Sequence, residues 1–304
     1  MSTMQTKLIK FVLYPLFFLL CLVFFLVRGF PIEQVSQGMI HRAETLLGMK
    51  ITTGGLSTLF PNGVEAVDVR LQKPGEKDGP PLTLTVERVS ARIGLLALLT
   101  GDKDVSFASE LLTGKIEGEV NVGADTVKLS ARSYAVDLEK LPVWKDLLGI
   151  NLGGKLNATI ELDMSKKDIK ETKGHVDLNL EAGKVGNGPI QVSGFGPLTL
   201  PWISLGKTDV VLEVAKGKAD IKSFKVASDD IDGTVDGYFL LQQKLDQISA
   251  RCKTRFKISD DFFKRNPKFE ILTQKLAPAK GKDGYYGYTI FGPVIHPQFK
   301  ELKQ

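Results

Sequence analysis

The residues of this 304-residue chain most suited to metal or nucleophilic chemistry are three histidines, two cysteines and one dense run of acids. His41, His175 and His296 fall in three separate segments, none with a second ligand at metal-binding spacing, so isolated exposed or turn histidines are expected and no metal site is. Cys21 sits in an apolar run, and Cys252 has no motif that would activate a thiolate. The stretch "SDDIDGTVDG" (228–237) gathers acids as a calcium loop does, but it lacks the ligand spacing and final glutamate of an EF-hand. Alternation of Ile231, Gly233, Val235 and Gly237 with Asp232 and Asp236 predicts a strand instead. "GKVGNGPIQVSGFGPLTLP" (183–201) is glycine-rich without the pattern of a phosphate loop, and Pro189, Pro197 and Pro201 predict a loop that ends a sheet. No catalytic, cofactor-binding or metal residue is assigned, and a noncatalytic protein is expected.

One charged pattern stands out. Arg251, Lys253, Arg255 and Lys257 occupy every second position, opposite Cys252, Thr254 and Phe256, which on a strand makes four cations on one face. Such a row serves either as a solvated or edge strand protected by charge, or as a contact for anionic lipid headgroups or an acidic partner domain. The net charge of +5 and pI of about 9.0 do not extend this to nucleic acid. Lys7, Lys10 and Arg28 precede residue 29 with no acid among them, leaving 37 basic against 35 acidic side chains in the remainder.

The elements that carry these residues begin with "FVLYPLFFLLCLVFFLV" (11–27), an uncharged run of 17 between Lys10 and Arg28. With its basic flanks snorkelling, it suits a membrane anchor over 11–28. "LVRGFPIEQ" offers no small-x-small cleavage site, which disfavours a cleaved signal peptide. Positive charge before the span predicts a cytoplasmic tail of residues 1–10 and a translocated remainder, which in a Gram-negative cell places residues 51–304 in the periplasm on an inner-membrane anchor. With Cys21 in the span, Cys252 has no disulfide partner. Residues 29–50 read as an amphipathic helix, with Ile32, Val35, Met39, Ala43 and Leu46 at spacings of three and four, that caps one end of the β-rich region.

Beyond it the pattern is β. Val67, Val69 and Leu71 alternate with Asp68 and Arg70, and Leu82, Leu84 and Val86 with Thr83, Thr85 and Glu87. Past Arg88 the apolar positions change phase, which predicts a bulge or a strand end. Short helices are expected over 93–101 and 137–149. Hairpins are expected at 115–122 with 127–132 and at 155–163 with 174–181, and further strands at 209–215, 218–226, 230–241 and 247–258. The fold class is mainly β: an elongated, curved, mostly antiparallel sheet with a few short helices behind an N-terminal transmembrane helix. A compact sandwich is the alternative.

Four segments carry a family likeness. "TLFPNGVEAVDVRL" (58–71), "RVSARIGLLALLTGDKDVSFASELLTGKIEGEV" (88–120), "YAVDLEKLPVWKDLLGINLGGKLNATIELD" (134–163) and "GYTIFGPVIHPQF" (287–299) resemble, in order, the type II secretion system protein N family and the related AsmA-like envelope proteins. The resemblance implies an inner-membrane component of the type II secretion machinery with other secretion proteins as partners and no catalytic residues. An AsmA-like protein that binds or transfers phospholipid is the alternative it leaves open.

Overall fold

A computed structural model describes residues 40–41, 44, 49–59, 62–73, 82–94, 103–111, 114–141, 150–192, 196–242, 247–294 and 297–302. The expected anchor over 11–28 and most of the helices expected over 29–50, 93–101 and 137–149 lie outside them. No helix among the described residues is long and apolar enough to cross a membrane.

The described chain is mainly antiparallel β-sheet. Its strands are β1 (Lys50–Thr52), β2 (Gly55–Leu59), β3 (Gly63–Lys73), β4 (Leu82–Ile93), β5 (Lys103–Leu111), β6 (Gly114–Val122), β7 (Thr126–Asp137), β8 (Asn151–Ser165), β9 (Lys173–Gly186), β10 (Gly188–Val192), β11 (Gly196–Leu200), β12 (Ile203–Ala215), β13 (Lys218–Ala227), β14 (Ile231–Leu240), β15 (Ser249–Ile258), β16 (Tyr286–Pro293) and β17 (Gln298–Glu301). Fifteen of them form one sheet, in which β3 onward follow one another as a meander interrupted only by the separate β10–β11 pair; β1 and β2 both lie against β3. Short polar turns permit this order. Between β12 and β13, Lys216 (φ 53) and Gly217 (φ 72) both take the left-handed conformation that suits a two-residue hairpin.

Both expected hairpins form, with longer strands than the alternation alone marks out. β7 continues past residue 132 because Ala135, at φ 48, absorbs one extra residue opposite β8 and donates its N–H to the Asn157 side chain at 2.8 Å. No strand ends at Arg88. β3 and β4 stay in one register from Gly63↔Arg92 to Lys73↔Leu82, and Asp68 (φ 50) lies at the phase change. Val69 and Val86 on one side of it and Ala66 and Val89 on the other thereby join the same apolar cluster.

Two expectations are corrected and one segment is added. Lys50 belongs to β1, so the helix expected through residue 50 ends before it; Ile40, His41 and Glu44 are helical, and the β-branched Ile51 and Thr52 pair with Leu71 and Arg70. Of the stretch 183–201, expected as a loop, residues 183–186 end β9 and residues 188–192 and 196–200 pair as β10 and β11. Its prolines are tolerated because an isolated two-stranded pair leaves outward-facing positions that need no ladder donor. Between β15 and β16 the chain forms two short helices, α1 (Asp260–Arg265) and α2 (Ile271–Leu276), that no periodicity announces.

Burial concentrates in two places. Val69, Val86, Leu111 and Val136 close a cluster where β3, β4, β5 and β7 meet, with Leu84, Leu141 and Leu156 against it. Phe262, fully buried, meets Phe263 and Phe269 edge-on beneath α1. α1 is fastened by the Ser259 hydroxyl, which accepts from the Phe262 N–H at 3.1 Å, and by Arg265 reaching the buried Asp230 carboxylate, which also accepts from the Ser204 N–H at 2.8 Å. Between these clusters the inner side chains of the central strands are only half-buried. A compact sandwich would have buried them.

Candidate functional site

The four cations singled out by spacing do lie together, exposed on one face of β15. β15 is not an edge strand: β14 pairs with it on one side and β16 on the other. Edge protection therefore does not explain the row. Register instead sets acids beside it, Asp236 opposite Lys253 and Asp232 opposite Lys257, near enough for cross-strand attraction. Arg255 pairs with Asp283 and lies 5.4 Å from the Tyr285 ring centre, and the Tyr285 hydroxyl donates to Asp232 at 2.6 Å. That hydrogen bond to a carboxylate, with the charge of Asp232, raises the Tyr285 hydroxyl above its ordinary range. Asp232 and Asp236 of the acid-rich stretch 228–237 and the basic row thus lie on adjacent strands of one face, with Arg255 ion-paired to Asp283 while Arg251 faces Tyr238 and Phe291.

The other candidates separate. His175 is exposed and sits 3.0 Å from Asp177, His41 is 3.9 Å from Glu44, and His296 lies outside the described residues. No group of three or more potential metal ligands occurs among the described residues. Cys252 is buried on the opposite face of β15 from the cations.

What register adds is the arrangement of the apolar side chains. One line runs directly across the sheet through Phe107, Gly118, Ala131, Ile160, Val176 and Leu212, and continues through Ile221, Gly237 and Cys252 to Ile290. A parallel line joins Val105, Val120, Leu129, Leu162, Gly174 and Val214. From β5 to β9 every apolar member of both lines is only half-buried. Alternation within each strand gives the membership of this face; the continuity of the lines depends on strand order and on the shifts at Ala135 and between Val211 and Leu212. An apolar band thus crosses the sheet, with the charged side chains of β14 and β15 on its reverse side. No protein-family model, curated protein or solved structure matches the chain.

Proposed function

We propose that the protein is a noncatalytic component of the type II protein secretion machinery, held in the inner membrane by residues 11–27, with an elongated, curved sheet in the periplasm that contacts other secretion proteins. What supports this reading is the order of the four segments that resemble the secretion-protein family. In the fold they fall on successive parts of one meander: β2 with β3, β4 through β6, β7 into β8, and β16 with β17. Contacts would be made at the two open ends of the sheet, β1 and β2 at one and β17 at the other, where unpaired backbone groups can receive a partner strand. The test is the distribution of a secreted enzyme between periplasm and medium in cells with the gene deleted and restored. Periplasmic trapping reversed by the restored gene is the expected result, and unchanged export overturns it.

A second reading is favoured by one observation, the half-exposed apolar band. An acyl chain lying along it would remove apolar surface from water at roughly 25 cal/mol per Å². On this reading the protein binds or transfers phospholipid as an AsmA-like envelope protein. Full-length protein purified in detergent would then carry phospholipid detectable by mass spectrometry in near-stoichiometric amount, and Leu212→Asp would deplete it. Lipid-free preparations that are folded and otherwise intact exclude the second reading without touching the first.

A further inference from the structure

The polar face of the sheet carries a feature that neither reading uses. Two open cavities of about 560 and 480 Å³ lie there side by side. Their walls are rows of side chains fixed by register. One row runs through Ser90, Ala108, Glu117, Arg132, Thr159 and Asp177, each directly opposite the next. The second cavity wall on the β7–β12 side is formed by Tyr134, Asn157, Asn179 and Asp209. Arg132 lines both cavities, so they make one trough crossing β4 to β9 and β12, a span of roughly 29 Å at the usual strand separation.

The polar groups of this trough define the ligand by what they have already satisfied. Glu117 accepts from Lys115 and, at 3.2 Å, from the Tyr134 hydroxyl, contacts that hold its carboxyl below the usual range. Asp177 is paired with His175, and Asp209 accepts from the Asn179 amide. These carboxylates exert little demand for a cation, and with Glu119 they outnumber the two arginines of the lining, Arg92 and Arg132, which disfavours an anionic polymer. Arg132 makes no hydrogen bond or ion pair among the described residues. Asn157 spends its carbonyl oxygen on the Ala135 N–H, leaving its amide hydrogens to donate. A ligand must therefore accept from Arg132 and Asn157 while donating to the spare lone pairs of Asp177 and Asp209. Hydroxyl groups do both. The Tyr134 ring, 45% exposed at the wall, supplies a flat apolar surface with a polar tip, suited to the C–H face of a sugar ring.

We propose that this trough binds a linear, uncharged glycan. The inference is independent of both functional readings, since it concerns the opposite face from the apolar band and no residue of the terminal strands β1, β2 and β17. The test uses the full chain in micelles of a detergent without a sugar headgroup, titrated calorimetrically with chitohexaose, maltohexaose and, as a cationic probe, hexalysine. Saturable binding of at least one hexasaccharide is expected, weakened about tenfold or more by Tyr134→Ala and by Arg132→Ala, a loss of the size expected when hydrogen bonds to a charged group or an aromatic platform are removed. Lys222→Ala, at the exposed pair with Glu213 outside the trough, leaves it unchanged. If Tyr134→Ala fails to fold, Thr159→Val, which keeps the side-chain volume and removes one hydroxyl, takes its place with weakening again expected. A folded chain that binds neither hexasaccharide, binding undiminished in the folded variants, or binding of hexalysine alone overturns the proposal, the last in favour of a basic polypeptide.

Discussion

Cys252 is 3% exposed, with its sulfur 3.7 Å from the Tyr238 carbonyl oxygen, and burial pushes its thiol above the ordinary value near 9.0. A buried neutral thiol is a poor nucleophile. In a Cys21→Ser background, Cys252 is expected to resist a disulfide reagent at pH 8 until urea unfolds the sheet; rapid native-state labelling would show the strand to be open. Because the folded value lies above the unfolded one, the contribution to stability is complete below about pH 9 and is lost as pH rises through the folded value. Burial also raises the Tyr288 hydroxyl, so the readout is the difference in urea midpoint between this background and its Cys252→Ala derivative from pH 8 to 10.5, in which the tyrosine contribution cancels. At this scale the sequence shows which residues share a face of β15 but not their partners. Asp283 lies 28 residues from Arg255, and no local spacing announces that it returns to neutralise it.

The α1–α2 insertion is an element with its own small core, distant in sequence from the cluster around Val69. Phe262, Phe269 and Ala279 are buried within it, and Tyr286 at the start of β16 is buried against Phe256 with Lys280 over its ring. Phe262→Ala is expected to cost about 3–5 kcal/mol, the usual range for emptying a buried phenylalanine site. The loss should be local. Amide exchange should accelerate across residues 260–280 while β6 to β9 keep their protection, and equal loss of protection in β6 to β9 would show that the insertion and the sheet unfold as one unit. The strands are legible in the sequence because a half-buried sheet imposes strict alternation, seen in the exposed Lys128, Ser130 and Arg132 between the half-buried Val127, Leu129 and Ala131. The insertion is not, since its helices are six residues each, too short for periodicity to register. The available signal is Ser259 followed by Asp260 and Asp261, a cap with acids in the first turn. The β10–β11 hairpin is hidden for a different reason: its prolines forbid a central strand but not an isolated pair.

At the scale of the whole molecule the open question is whether the apolar band is solvated or covered. Monomeric proteins seldom leave contiguous apolar patches of more than a few hundred Å² in water, and from β5 to β9 the apolar side chains of the band lie side by side and only half-buried. A charge placed on it distinguishes the two states. Val176 is half-buried in the band, whereas Val86 is 6% exposed within the closed cluster. An aspartate at residue 176 can keep part of its hydration and should cost about 1–2 kcal/mol, while one at residue 86 loses hydration without a partner and should cost at least about 4 kcal/mol. Urea unfolding of Val176→Asp and Val86→Asp in the purified full chain measures both. A gap of about 2 kcal/mol or more identifies the band as open and ready for an acyl chain or a partner surface. Equal costs would mean that the band is already covered in solution by the rest of the chain or by a second copy, and any ligand or partner would then have to displace that cover before it could bind.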